Sequence, residues 1–226
     1  MNIILQHWSG EITELVDLSS FNIQNYAIRG GADYVLLRGD FFRAGLSAPC
    51  QKLAMLASEW DAYETVVMLD ADMFARTDES IFDVPGIGVR SSFQDDIFDR
   101  MRRTHPTLTS PEHPYWGGAI WKLTREQRQL FRAHLRDGEV LAMSGKGNFE
   151  DEGVMHRLAT LADYKEPSRL PERWAWSSYD RDGIEDAAMI HIRKRKYPYG
   201  QGIPKDVANG TKIENYKALV DAGILA

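Results

Sequence analysis

An uninterrupted apolar run follows Thr65, where the sequence reads Val-Val-Met-Leu. Because no polar residue alternates with the apolar ones, the run predicts a strand buried on both faces of a mainly parallel sheet. The strand leads directly into Asp70-Ala71-Asp72. Ligands of open α/β sheets bind beyond the carboxyl ends of the strands, and two carboxylates spaced in this way can face one divalent cation. The alternative is an ordinary turn, in which one aspartate caps the strand end and the other is solvated.

The segments before this strand alternate between strand-like and helix-like patterns. We predict strands over residues 2–6 and 33–37, and helices over residues 14–29 and 49–60. With the strand at 65–69 the order is β-α-β-α-β, which is typical of parallel strands joined by right-handed crossovers. The predicted fold class is therefore α/β.

The second half of the chain is less regular. Further strands are predicted over residues 87–92, 115–123 and 187–192, and further helices over residues 124–136, 148–161 and 214–222. The polar stretch at 92–114 predicts a long surface loop with one helix at 96–103. Gly117 and Gly118 lie inside a predicted strand, which indicates close approach of another backbone or a ligand. No internal repeat or low-complexity segment divides the chain, so we expect one domain.

Composition narrows the possible functions. Of the 226 residues, 43% are hydrophobic and 27% charged, as is ordinary for a soluble globular protein. A net charge of -6 argues against a general nucleic-acid binder, because no broad basic surface is implied. The single cysteine, Cys50, excludes an internal disulfide and is typical of a reducing compartment. The amino terminus lacks the basic region of a signal peptide, and no apolar stretch reaches about 18 residues. We therefore expect no transmembrane segment and a cytoplasmic location.

Four motifs in a fixed order carry a resemblance to a known family. They are VVMLDADMF, YWGGAIWKL, the helix start Glu150-Asp151-Glu152-Gly153, and MIHIRKRK near residue 191. This order, over residues 1–200, resembles the GT-A fold glycosyltransferases of the glycogenin-like and bacterial galactosyltransferase families, which transfer sugars from nucleotide diphosphates. The resemblance implies one Rossmann-like GT-A domain over residues 1–226, with a nucleotide-binding half at 1–92 and an acceptor- and metal-completing half at 93–226.

The resemblance implies a metal centre. It assigns Asp70 and Asp72 as metal ligands, with Asp72 the more direct of the two, and His191 as the residue that completes the protein ligands. A late strand of the same parallel sheet would end, at His191, on the edge where the aspartates lie. By ligand type an imidazole favours Mn²⁺ over Mg²⁺, so we expect Mn²⁺, with Mg²⁺ as the alternative. From pattern alone, such a histidine is more often only a polar strand end.

The resemblance also implies a nucleotide diphosphate sugar, a UDP-sugar first of all, and a glycan or other hydroxyl acceptor. The residues expected to bind the donor are His7 and Trp8 in the first loop, Lys52, the Asp70-Ala71-Asp72 segment, Gly117, Gly118, Lys194 and Lys196. Three tryptophans are expected to form apolar platforms for sugar rings: Trp116, Trp174 and Trp176. Against the two lysines stands the ordinary interpretation of a solvated basic run.

Asp151 and Glu152 are the catalytic candidates that the resemblance implies. In an inverting enzyme either carboxylate acts as general base, whereas in a retaining enzyme Asp151 positions the donor sugar and stabilises charge. Relatives carry a second aspartate where this chain has Gly153, so the stereochemical outcome stays open. Acids at a helix start also interact well with the helix dipole without any catalytic role.

Three other functions fit parts of the pattern. A haloacid-dehalogenase-type phosphatase also has a strand ending in Asp-x-Asp, but it requires Thr or Val where this chain has Phe74. A sugar-phosphate nucleotidyltransferase has a related fold, but the glycine-rich phosphate loop expected after its first strand is missing from the sequence HWSGEI. The third alternative is an inactive nucleotide- or carbohydrate-binding module, although the chain keeps both aspartates and the histidine.

Overall fold

The computed structural model of the protein describes residues 1–89, 103, 110–143, 150–166, 169–177, 183–193 and 210–225. Its strands are β1 (Asn2–Trp8), β2 (Asp33–Arg38), β3 (Thr65–Asp70), β4 (Met73–Ala75), β5 (Ile120–Thr124), β6 (Trp176–Ser177) and β7 (Met189–His191). Its α-helices are α1 (Glu14–Arg29), α2 (Arg125–His134), α3 (Asp137–Met143), α4 (Glu150–Leu161) and α5 (Lys212–Asp221). Short 3₁₀ helices cover Pro49–Leu56, Ser58–Trp60, Ile81–Asp83, Glu172–Ala175 and Ile184–Asp186.

The larger sheet has the strand order β2-β1-β3-β5. Strand β1 pairs in parallel with β2 and β3, and β5 pairs antiparallel with β3. Val66 and Met68 of β3 face one hydrophobic core, which includes side chains of α2 and α4, whereas Val67 and Leu69 face a second core with α1. Burial on both faces explains why the strand has no polar alternation. The predicted α/β fold with a mainly parallel sheet is confirmed.

A second, smaller sheet has the strand order β4-β7-β6. Strand β4 pairs antiparallel with β7, so that Met73 lies opposite His191, and β6 pairs in parallel with β7. The expectation that His191 ends a late strand of the main sheet is therefore wrong. The chain leaves β3 through a two-residue turn and starts the second sheet at once, and this places the end of β7 beside the turn.

Some predicted elements differ from the structure. Residues 49–60 form two 3₁₀ helices, because Ala57 is extended and every side chain from Cys50 to Leu56 is buried, leaving no solvent-facing stripe. The strand predicted at 115–123 begins only at Ile120, so the glycine pair precedes it. In place of a strand at 87–92, the described part of that segment has two isolated bridges, from Gly88 to Trp121 and to Arg169. Helix α3 was not predicted.

The predicted loop and helix at 92–114 lie almost entirely outside the described residues. Among the residues that the structure does describe, no helix has both the length and the apolar character needed to cross a bilayer.

Candidate active site

The acidic motif forms the turn that joins the two sheets. Asp70 is the last residue of β3, and Ala71 and Asp72 connect it to β4. The Asp70 N–H donates to the Ala119 carbonyl at 3.0 Å, and the Ile192 N–H donates to the Asp72 carbonyl at 3.0 Å. Backbone hydrogen bonds from the residue before β5 and the residue after β7 thus hold the turn on both sides, and both aspartate side chains project from a fixed backbone.

His191 contributes its imidazole to the same point. Its Nε2 lies 3.1 Å from Asp72 Oδ1 and 3.4 Å from Asp70 Oδ2. One ligand atom from each of the three residues can be chosen so that all lie within 4.8 Å of one another. The structure therefore brings together the three side chains that the sequence suggested for one site.

The donor atoms of these three residues fit a divalent cation. Two carboxylates and an imidazole form a mixed oxygen and nitrogen set, which is acceptable to Mn²⁺. Burial, with a smaller contribution from Arg193, lowers the pKa of His191 and so favours the neutral ring that ligation requires. The other ring nitrogen, Nδ1, is buried and has no hydrogen-bond partner among the described residues.

Lys52 connects this cluster to a third carboxylate. Its Nζ lies 2.7 Å from Asp70 Oδ1, 2.6 Å from Asp151 Oδ2 and 2.7 Å from the Gly118 carbonyl oxygen. Burial opposes the charge of this ammonium, but Asp151 and Asp70 outweigh burial and raise the pKa of Lys52. The lysine expected to bind the donor is thus a buried bridge between two carboxylates.

Asp151 and Glu152, in the first turn of α4, lie beside this bridge. Burial raises the pKa of Asp151, and Lys52 offsets the effect only in part. Glu152 accepts a hydrogen bond from the Gly118 N–H at 2.7 Å and another from the Tyr115 hydroxyl. Burial and the neighbouring Asp151 raise the pKa of Glu152 to about 7. The two catalytic candidates therefore share one buried network with Lys52.

Gly118 allows this network to form. A Cβ atom added there would lie 2.7 Å from Asp151 Oδ2 and 3.2 Å from Lys52 Nζ. Any side chain at this position would displace the ion pair, which explains a glycine here without invoking a ligand. The neighbouring Gly117 donates its N–H to the Val89 carbonyl at 3.0 Å.

Three solved structures that resemble this one are glycosyltransferases. A glycosyltransferase involved in the glycosylation of the major capsid of PBCV-1 has a TM-score of 0.53 and 12% identity, covering 84% of this chain and 93% of that chain. The galactosyltransferase LgtC, in complex with donor and acceptor sugar analogs, has a TM-score of 0.56 and 10% identity, covering 98% and 96%. The bifunctional glycosyltransferase WbbM has a TM-score of 0.55 and 14% identity, with coverage of 95% of this chain but 51% of its own.

This chain has a GT-A glycosyltransferase fold. The likeness lies in the structure and not in the sequence, since no protein-family model and no curated protein sequence matches the chain. Within this GT-A fold, the acidic turn and His191 lie where the two sheets meet.

A cleft of the GT-A fold opens next to Asp72. Its volume is about 270 Å³, and its walls include Trp8, the start of α1 and the start of α5. Lys212, the first residue of α5, belongs to this wall and contacts Asp72 Oδ2 with its Nζ. No sequence pattern indicates Lys212, because it lies 140 residues from its partner and has no motif around it.

Four further residues were predicted to bind the donor: His7, Trp8, Lys194 and Lys196. The prediction that His7 and Trp8 lie in the first loop is wrong, because both belong to β1. His7 lies opposite Asp70 in the β1–β3 register, and its Nε2 forms a 2.7 Å hydrogen bond with the Gly39 carbonyl. The indole N–H of Trp8 donates to the Glu11 carbonyl at 2.8 Å. Lys194 and Lys196 lie outside the described residues.

The three tryptophans proposed as sugar platforms belong to the interior. Trp116 and Trp174 are each 1% exposed, and Trp176 is 5% exposed in the cluster that α5 covers. The platform prediction is wrong for them, because their large apolar surfaces are already buried against the protein.

Glu152→Gln should make the stability of the protein less dependent on pH. The pKa of Glu152 is raised to about 7 from 4.5, so the folded state keeps a proton that the unfolded state has released. This contribution is fully present below about pH 4.5 and is lost as the pH rises to about 7. The free energy of unfolding of Glu152→Gln minus that of the parent protein should therefore be roughly 3 kcal/mol larger at pH 8 than at pH 4.5.

Urea unfolding at the two pH values measures this difference. Glu112→Gln, at an exposed position, is the matched control and should give the same relative stability at both. An unchanged or opposite difference for Glu152→Gln would show that Tyr115 and Gly118 stabilise the ionised carboxylate more than burial destabilises it.

Proposed function

We propose that the protein is a metal-dependent glycosyltransferase that moves a sugar from a nucleotide diphosphate sugar to a glycan or other hydroxyl acceptor. The observation that carries the proposal is the convergence of Asp70, Asp72 and His191 at the carboxyl end of β3, where α/β folds bind ligands. The GT-A fold supports the same activity. One of the similar structures contains donor and acceptor sugar analogs, which supports a donor and an acceptor for this chain too.

Asp70, Asp72 and His191 would hold the metal ion, for which Mn²⁺ is the first candidate. When bound, such an ion supplies positive charge that stabilises the departing nucleoside diphosphate. Lys52 keeps the Asp70 carboxylate ionised, since its ammonium outweighs the effect of burial and the pKa of Asp70 is lowered. The protein thereby presents two charged carboxylates at neutral pH without needing metal to ionise them.

Asp151 is the better of the two candidates for direct action on the sugar. Its carboxylate pairs with Lys52 and interacts with the Glu152 backbone, and α4 fixes its own backbone. A carboxylate has about four lone-pair sites, so acceptor capacity remains for a substrate. Both Glu152 oxygens already accept hydrogen bonds from Tyr115 and Gly118. We assign Asp151 to stabilise positive charge on the sugar, or to accept the proton of the acceptor hydroxyl, and Glu152 to position the segment at Gly118.

The nucleoside is assigned to the cleft beside Asp72, because Trp8 offers an aromatic surface on its wall. His7 precedes Trp8 in strand β1. A UDP-sugar is the first donor to test, and Lys194 and Lys196 stay candidates for diphosphate binding.

Release of nucleoside diphosphate tests the function. The protein is incubated with Mn²⁺ and, one at a time, UDP-, GDP- and dTDP-sugars, with and without candidate acceptor glycans. Release of the diphosphate only with metal, and from one nucleotide class, is the expected result. Release of inorganic phosphate would indicate a phosphatase, and binding without release would indicate an inactive module. A separate incubation with a nucleoside triphosphate and a sugar phosphate tests the remaining alternative, because a nucleotidyltransferase would release pyrophosphate from them.

A further inference from the structure

Lys212 is held next to the acidic turn by the packing of its helix. Leu219 and Tyr216 of α5 belong to the hydrophobic cluster that also contains Phe74 of β4, and the Tyr216 and Phe74 rings are 4.8 Å apart. Thr211 caps α5 through a reciprocal pair of hydrogen bonds with Glu214. The start of α5 is thus anchored, and the contact of Lys212 with Asp72 belongs to the folded core of the site.

The two lysines of the acidic cluster differ in their freedom to move. Lys52 has three acceptors within 2.7 Å and a side chain that is 10% exposed. Lys212 has a side chain that is 37% exposed, lines the cleft and contacts Asp72. If one of the two ammonium groups has to leave, only Lys212 has solvent-accessible space in which to do so.

A divalent cation and Lys212 need the same carboxylate. Asp72 accepts the Lys212 ammonium on Oδ2 and faces His191 through Oδ1. An ion held by Asp70, Asp72 and His191 would share Asp72 with that ammonium, and two positive groups so close together repel each other. The displaced Lys212 side chain would move into the cleft that it lines, where a diphosphate bound to the ion would also lie. A lysine ammonium binds phosphate well as a point charge.

From these contacts we infer that Lys212 is an exchangeable counter-ion, which pairs with Asp72 in the metal-free protein and with the donor's diphosphate once a metal ion has taken its place. The inference rests on the proposed function, because it names a diphosphate ligand for that same site. It adds a binding residue from the carboxyl-terminal helix, outside all four motifs of the sequence.

Lys212→Met separates the two halves of this exchange. Free Mn²⁺, counted by electron paramagnetic resonance without nucleotide, should show binding roughly tenfold tighter than in the parent protein, since no ammonium competes for Asp72. Calorimetry with UDP at saturating Mn²⁺ should show binding roughly tenfold weaker, since the diphosphate has lost a cation. Opposite changes in the two affinities are the signature of the exchange, and a merely structural lysine would not produce them.

Two further variants serve as controls. Lys217→Met removes another exposed lysine of α5, whose Nζ lies 3.4 Å from Glu14, and should change neither affinity. Lys212→Arg keeps the charge and should stay close to the parent protein in both measurements, which also covers the case in which Lys212→Met folds poorly.

The outcomes distinguish this inference from the proposed function. If the parent protein binds Mn²⁺ and UDP but Lys212→Met binds both as the parent does, or loses affinity for both, the exchange is wrong and the glycosyltransferase proposal stands. If the parent protein binds neither Mn²⁺ nor any of UDP, GDP and dTDP, both fail together.

Discussion

Asp72→Asn is expected to reduce metal-dependent sugar transfer by roughly a thousandfold while the protein stays folded. The amide keeps the shape of the side chain but removes the negative charge that a cation needs. The pKa of Asp72 shows how strongly this site favours a charged group: burial opposes ionisation, yet His191 and Lys212 outweigh burial and hold the pKa well below its usual range. Nucleoside diphosphate release measures the loss, and circular dichroism verifies the fold.

Two histidine variants accompany this experiment. His191→Ala should weaken Mn²⁺ binding by more than about tenfold, because it removes the nitrogen that lies 3.1 Å from Asp72. His134→Ala, at the end of α2, changes the same residue type away from the cluster and should leave binding and activity intact. Full activity in excess EDTA, in the parent protein, would contradict the metal requirement itself.

Lys52→Met should destabilise the protein by about 3–5 kcal/mol at pH 7. The reason is that one ammonium serves two carboxylates, Asp70 at 2.7 Å and Asp151 at 2.6 Å, in a place where 10% of the lysine side chain is exposed. Without it the two acids are left near each other without a cation, and at least one must take up a proton. Chemical unfolding gives the free energy directly.

A surface lysine and a double variant test this explanation. Lys165→Met removes a 58% exposed ammonium that lies 3.1 Å from Asp163, and it should cost less than about 1 kcal/mol. Combining Lys52→Met with Asp151→Asn should recover part of the lost stability, because the second change removes one of the unpaired charges. The buried-bridge account fails if Lys52→Met costs no more than Lys165→Met.

The chemistry of the candidate site could be predicted from local sequence because it depends on residue type and order. A strand of four consecutive apolar residues is expected to be buried on both faces. The residues that follow it lie at the carboxyl end of the strand, where α/β sheets bind ligands. Asp70 and Asp72 were found in this way. His191 and Asp151 were found through their order in the motifs, and the structure brings all four into one cluster.

The partners of these residues could not be predicted, because they depend on packing between distant segments. Nothing near Lys52 in the sequence indicates that it bridges Asp70 and Asp151, and nothing near Lys212 indicates that it meets Asp72. Each contact requires a helix to dock in one orientation on the sheets, and docking is decided by side chains spread over the whole chain.

The sequence by itself determined the buried strand, the acidic turn and the mainly parallel sheet, since each follows from the solvent exposure of consecutive residues. Only the tertiary structure decided that His191 reaches the turn through a second sheet, antiparallel to β4, and that two lysines already neutralise the acidic pair. It also showed that the missing side chain of Gly118 makes room for the ion pair between Lys52 and Asp151. The physical reason is that strand pairing and charge pairing join segments far apart in the chain, so no local pattern records them.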